Sequence, residues 1–346
     1  MNYNLKDSFS FDDILLIPQH STIKSRSEVD LSVTLSKGFK FKIPIIPANM
    51  TDIINKKMIT KMYSLGAMSL MHRFCSIEEQ LSLFSDLKNT YSNDIFNFVG
   101  ASIGVKESDY KSLSLLSELG IKIFCIDIAH LDSILGLEMI SYISKTYPDK
   151  LLIAGNVATG SAAARAWKAG ADVVKVGIGA SGICSTRLEA AAGVPQLSAI
   201  MEVSEFKRLA EKELNRKLYF ISDGGHKITA DCVKSLCFAD MVMLGGMLSG
   251  TDEASNIKIE NNGETYITYS GSSTHKKNRI EGVKGLVKPK GPVENIITNI
   301  CEGIQSGCSY QNSRNLDELK EDVNLVKLTN AGIAESKIHG VILANS

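Results

Sequence analysis

No uncharged apolar stretch in the 346 residues approaches the length needed to cross a membrane. The opening residues, MNYNLKDSFSFDD, carry no basic segment followed by an apolar one, so no secretory leader is expected. Neither charge is in surplus: 38 basic side chains balance 38 acidic ones. That balance removes the long-range field that draws a protein to nucleic acid or to an anionic membrane, and neither is an expected partner. The local basic run HKKNR (275–279) reads as a solvated loop. The cysteines at 75, 125, 184, 232, 237, 301 and 308 form no CxxC pair and no zinc spacing. Their odd number and scatter argue for reduced thiols. A soluble, cytoplasmic protein is the expectation.

What the chain does have is a hydrophobic content of 44%, enough for a large core, distributed in a repeating pattern. Eight short apolar runs end in small or polar residues: 43–50, 66–72, 97–104, 121–130, 151–159, 172–179, 217–225 and 240–247. Nearly continuous apolar runs of this length suit strands buried on both faces, as in parallel sheets. Helix-like segments separate them, among them SIEEQLSLFSDLKN and QLSAIMEVSEFKRLAEKEL, and parallel neighbours require such crossovers. Eight alternations predict an α/β fold of the (β/α)8 TIM-barrel type, a single domain over 1–346. A doubly wound sheet is the alternative. It would carry a glycine fingerprint after its first strand, whereas here the early strands end in PANM and MHR.

In a barrel the active site forms at the C-terminal strand ends. That rule gathers Asn49, His72, Asp127, Asn156, Cys184, Asp223 and the pairs Gly224–Gly225 and Gly245–Gly246 around one mouth. The glycine pairs follow the seventh and eighth strands, where barrels often hold phosphate on free backbone N–H groups. The stretch GIGASGICSTR (177–187) follows the sixth strand and presents Cys184, two residues before the hydroxyl of Thr186. Beyond the eighth strand, residues 250–290 read as a hairpin around an Asn-Gly turn followed by a short polar segment, a candidate active-site flap.

These stretches together resemble the inosine monophosphate dehydrogenase/guanosine monophosphate (GMP) reductase family. The likeness runs from FDDILLIP (11–18) through PANM, MHRF, IDIAH, AGNVAT, KVGIGASGICSTR, GVPQLSAI, SDGG and MLGGMLSGTDE to EGVKGLVKPKGPVE (281–294), in order. No room exists near residue 75 for the pair of CBS domains that usually interrupts the dehydrogenase barrel. The resemblance implies that Cys184 attacks C2 of a purine nucleotide to form a thioimidate, with Thr186 and Glu281 handling the proton of ammonia or water. It implies that Asp223 grips the ribose and that Gly224, Gly225, Gly245 and Gly246, with Ser181 and Gly182, hold the phosphate. Tyr269, Gly271 and Ser272 fall in the stretch that contacts the nucleotide. Asp127 and Asn156, with Ala129 and His130, would lie along a nicotinamide cofactor, NADPH. A monovalent cation, potassium, on the carbonyls of Gly179, Ser181 and Cys184 and a homotetrameric assembly are also implied.

The reductase branch is favoured, with reductive deamination of GMP to IMP as the expected reaction. Only HKKNRI separates Ser272–Thr274 from Glu281, and the Arg-Tyr pair of the hydrolytic flap is missing there. ICSTRLEAAAGVPQLSAI and AGIAESKIHG look closer to bacterial dehydrogenases, so oxidation of IMP to XMP, or a reaction of another purine nucleotide, stays as the alternative. A flavin-dependent barrel oxidoreductase and a catalytically dead nucleotide-binding relative are readings from other classes.

The glycine loop departs from its family. Ala180, Ser181 and Gly182 stand where Pro, Gly and Ser are usual, moving the hydroxyl one position. If Ser181 replaces the lost phosphate contact, Ser181→Ala raises the Michaelis constant for the nucleotide by about tenfold, the worth of one hydrogen bond to a charged group. An unchanged constant refutes the replacement.

Overall fold

The computed structural model describes residues 5–255, 257–271 and 283–340. Its centre is a ring of eight parallel strands: β1 (Ile45–Pro47), β2 (Ser69–Met71), β3 (Val99–Ile103), β4 (Ile123–Asp127), β5 (Leu151–Val157), β6 (Val173–Val176), β7 (Tyr219–Asp223) and β8 (Met241–Leu244). Ladders run in the order β1-β8-β7-β6-β5-β4-β3-β2. β8 joins β1 through Val242 and Ile45, and β1 also touches β2, so the sheet curls into a nearly closed TIM barrel. Each strand coincides with one of the eight apolar runs. β3 and β6 are buried along their whole length, as strands covered on both faces must be.

Helices follow the strands in turn: α1 (Lys56–Ser64), α2 (Ile77–Tyr91), α3 (Glu107–Leu119), α4 (Ile134–Thr146), α5 (Gly160–Ala169), α6 (Gln196–Leu214), α7 (Thr229–Leu236) and, after the eighth strand, α8 (Val293–Tyr310). Their starts are legible in the chain. Ser76 Oγ accepts from Glu79 N at 3.1 Å while Glu79 Oε2 accepts from Ser76 N at 2.7 Å, a capping box that begins α2 directly after MHRFC.

Residues 31–42 close the N-terminal end of the barrel. A two-residue hairpin pairs Val33–Thr34 with Lys40–Phe41. Ser36 Oγ donates to Asp172 Oδ1 at 3.1 Å and Lys37 Nζ to Asp172 Oδ2 at 2.6 Å, immediately before β6 begins. Phe41 is fully buried and meets Phe98, the residue before β3, edge-on at 5.8 Å. With this end plugged, the mouth at the C-terminal strand ends is left for the loops. The two ends of the described chain also meet, Ile14–Leu16 pairing antiparallel with Leu325–Lys327, which the sequence pattern does not foretell.

The hairpin beyond β8 consists of β9 (Lys258–Asn261) and β10 (Glu264–Ser270). Asn262 and Gly263, at φ 52° and 76°, make the two-residue turn that Asn-Gly favours. A third strand, β11 (Lys284–Val287), pairs with β10 and was not expected. Ser272 to Thr274, the HKKNRI flap segment and Glu281 fall outside the described residues.

Removing the plug's anchor should weaken the whole fold. Phe41→Ala is expected to lower unfolding free energy by about 3–5 kcal/mol through lost burial and an unfilled cavity. Urea denaturation followed by circular dichroism measures it, and a loss near zero would show that the plug is not part of the cooperative core.

Candidate active site

β6 carries one charged residue in an otherwise apolar strand. Lys175 is 2% exposed, and its Nζ donates to Asp127 Oδ1 at 2.8 Å and to Asp223 Oδ2 at 2.9 Å. Asp127 ends β4 and Asp223 ends β7, so one ammonium ties strand ends on both sides of its own. Burial works against the lysine's charge, but Asp127 and then Asp223 outweigh it and raise its pKa above the usual range. Asn156 of β5 donates through Nδ2 to Asp223 Oδ2 and to Gly177 O, both at 2.8 Å. Asn49, after β1, donates to Ser102 Oγ at 2.9 Å and lies 3.5 Å from the Lys175 ammonium.

The glycine loop leaves β6 under a tight constraint. A Cβ on Gly177 would sit 1.9 Å from the carbonyl oxygen of Asp223, so only glycine lets the loop pass beside β7. The chain then folds back: Cys184 N donates to Ser181 O at 3.0 Å, and the Cys184 thiol donates to Thr186 Oγ1 at 3.1 Å. Thr186 opens a single helical turn, Thr186–Glu189.

Ser181 faces the other way. Its amide lies 3.5 Å and its side chain 3.8 Å from where a Cβ on Gly224 would stand, on the side of the loop toward the phenol of Tyr269 on β10. The Tyr269 hydroxyl rests against Gly245, where an added Cβ would approach it to 2.7 Å, and its ring lies beside Gly246. Burial first, then the charges of Asp223 and Asp52, push the phenol's pKa up, against the pull of Ser181. Gly224 and Gly225 adopt φ of 87° and 84°. Ser181, Tyr269 and the two glycine pairs therefore converge from four elements on one patch of backbone and hydroxyls. Such a patch suits an anion.

One cavity opens at this mouth, lined by Asp127, Asn156, Ser181, Cys184, Thr186 and Asp223, with Asn49, Gly179 and Gly271. Arg73 and Phe74 after β2, and Ile128 and Ala129 after β4, line it on the opposite side of the ring. Not every expected residue is brought in. Gly224, Gly225, Gly245, Gly246 and Tyr269 do not line the cavity. Gly182 points into open space. His130 is exposed and outside the lining. His72 is buried below, Nδ1 accepting from Phe74 N at 3.2 Å, and burial lowers its pKa. Ser272 and Glu281 lie outside the described residues. The chain on either side of them borders the thiol loop: Gly271 N donates to Val283 O at 3.2 Å, and Val283 N donates to Ile183 O at 3.0 Å.

Two residues at the site, Arg73 in MHRF and Lys175 at the head of KVGIGASGICSTR, lie in family stretches but carry no role in the sequence reading. Arg73 Nε donates to the backbone carbonyl of Asp127 at 2.7 Å. Lys175 had a signal, a lone lysine in the strand run DVVKV, where a flanking surface position is not on offer.

Among the seven thiols, Cys184 stands apart by position. Burial pushes Cys75 and Cys301 up to about 11, and Cys125, Cys237 and Cys308 up to about 12. Cys232 is pushed higher still by the same cause. Cys184 is half-buried on the wall of the cavity.

The IMP dehydrogenase / GMP reductase domain family model matches residues 8–339. A GMP reductase of Enterobacter sp. (strain 638) is 34% identical over 340 residues, covering 92% of this chain and 94% of the relative. An inosine-5′-monophosphate dehydrogenase of Nitrosopumilus maritimus is 27% identical, covering 98% and 99%. A solved complex of a cysteine-to-alanine GMP reductase from Trypanosoma brucei with guanosine 5′-monophosphate superposes with a TM-score of 0.88 at 26% identity, covering 98% of this chain and 99% of that one.

A limiting amount of iodoacetamide at pH 7 should modify Cys184 ahead of the other six thiols, four buried and two half-buried, because the thiolate is the reacting form and burial suppresses it in those six. Peptide mass spectrometry reads the order. Labelling of Cys75 or Cys301 first would contradict it.

Proposed function

We propose that this chain, which belongs to the IMP dehydrogenase / GMP reductase family, acts as the reductase. It converts GMP and NADPH to IMP, ammonium and NADP⁺, taking up two protons. The observation that carries the reading is the Cys184 thiol, 3.1 Å from Thr186 Oγ1, on the wall of a cavity floored by Asp127, Lys175 and Asp223. An enzyme that only bound a nucleotide would have no use for a half-buried nucleophile paired with a hydroxyl. The reductase is favoured over the dehydrogenase by the reductase relative at 34% identity, and by the absence of an Arg-Tyr pair between residues 271 and 283.

The nucleotide phosphate is assigned to the patch formed by Ser181, Tyr269 and the glycine pairs, where hydroxyls and backbone N–H groups converge. Its ribose falls to Asp223, which Lys175 and Asn156 already hold in place. Cys184 then reaches C2 of the base. Its thiol adds there, and the proton it gives up passes through Thr186, the nearest hydroxyl. Protonation of the C2 amino group lets it leave as ammonia and turns the adduct into a thioimidate. We assign that proton to Thr186 together with Glu281, which in the chain precedes Val283 by two residues.

The cofactor fits the opposite side of the cavity. Phe74, Ile128 and Ala129 offer apolar surface there, Arg73 a guanidinium, and Asp127 and Asn156 polar groups toward the centre. When bound, the nicotinamide supplies the hydride that C2 requires. Cys184 departs from C2 as the thiolate, restoring the purine double bond. No step is assigned to the implied potassium ion.

Nicotinamide absorbance in two parallel reactions tests the proposal. GMP with NADPH should consume the cofactor and release ammonium, and Cys184→Ala should lower that rate by at least about a thousandfold. Formation of NADH from IMP and NAD⁺, with nothing in the first reaction, would instead identify a dehydrogenase.

A further inference from the structure

The mechanism above uses Asp223 on the nucleotide side and Asp127 on the cofactor side, and leaves the group between them without a task. Lys175 donates to both carboxylates, at 2.8 Å and 2.9 Å, from a strand where it is the one charged side chain. It is buried, while the two carboxyl groups are each nearly one-fifth exposed to the cavity. Asn156 ties Asp223 in turn to Gly177, at the root of the thiol loop.

We propose that Lys175 is a positioning residue: its single ammonium compensates both carboxylates, holds them turned into the cavity, and so couples nucleotide binding to cofactor binding. This rests on the proposed function for which side each aspartate serves. Without the ammonium the two carboxyl groups would face each other across a poorly hydrated gap. Two carboxylates in that position share a proton rather than both ionise, and one of them loses its hold on its ligand.

The other titratable groups facing the cluster stay silent near neutrality. Burial pushes Cys125 on β4 up to about 12 and His226 after β7 down to about 4, and pushes Tyr269 on β10 up. Arg73 engages the Asp127 backbone and not its carboxylate. The Cys184 thiol, in the same cavity, is turned to Thr186. Serine at position 184 removes it from the comparison.

The test measures melting temperature between pH 5 and pH 8 without ligand, in a Cys184→Ser background, for Lys175, Lys175→Met, Lys175→Arg and the pair Lys175→Met with Asp127→Asn. In Lys175→Met the folded chain keeps a proton that the unfolded chain has already released. Stability then falls as pH rises, and Tm should drop by about 3–6 °C more than in the parent over this range. Lys175→Arg, which keeps the cation, should lack the extra slope. So should the double variant, which has only one carboxylate. A parent-like slope in Lys175→Met, or an extra slope that persists in the double variant, overturns the proposal. Should Lys175→Met fail to fold, recovery of folded protein on adding Asp127→Asn supports it, and failure of both variants overturns it. Calorimetric titration with GMP adds the functional arm: affinity at least about tenfold weaker in Lys175→Met and largely regained in the double variant. A parent that does not bind GMP counts against the proposed function, and the ligand-free slopes still decide the role of Lys175.

Discussion

The Lys175 ammonium, shut off from water and shared between Asp127 and Asp223, is the interaction on which the mouth of this barrel depends. A charge at this depth is poor value for stability alone. Buried ion pairs exchanged for well-packed apolar residues often leave a protein as stable or more so. A lysine in the run DVVKV therefore makes sense through what it arranges, the ends of β4, β6 and β7 in one cluster. Asn156 extends that cluster from β5 to Gly177. The thiol loop begins at that glycine.

From this anchor the rest of the site follows by steric necessity. The missing side chain of Gly177 lets the loop lie against the Asp223 backbone. The loop then turns Cys184 toward Thr186 and lays Ser181 beside Gly224. The departure of this chain from its family's usual Pro-Gly-Ser becomes intelligible in that light. Gly182 meets nothing, while the hydroxyl one position earlier reaches the patch where β7, β8 and β10 converge. The plug at the other end, with Phe41 buried against Phe98, leaves the strands' C-terminal ends as the face where a cavity forms.

Much of this was legible in the chain. Eight apolar runs became eight strands, because strands covered on both faces of a parallel sheet are apolar at nearly every position. Asn262–Gly263 announced its own turn, and Ser76–Glu79 its own helix start, because both are interactions within a few residues. Asp223 stood out because it ends an apolar run beside glycines, and Cys184 because it sits in a glycine loop two residues before the hydroxyl of Thr186. His130 and Gly182, placed at the site by the family resemblance, fall outside the cavity, since a motif position fixes a neighbourhood and not the direction in which a residue faces. The pairing of Leu325–Lys327 with Ile14–Leu16 joins segments too far apart for any local signal.

The sequence by itself determined the alternation of strand and helix and the barrel, carried by periodicity, and it drew attention to Cys184 through its glycine loop and the family resemblance. Tertiary structure alone decided that Lys175 belongs to Asp127 and Asp223, that Ser181 lies against Gly224, and that the Val283 amide closes on Ile183. Each of those contacts spans dozens of positions. Which side chains meet across such distances depends on how the ring curls and which strand stands next to which. A linear pattern does not encode that geometry until the barrel has formed.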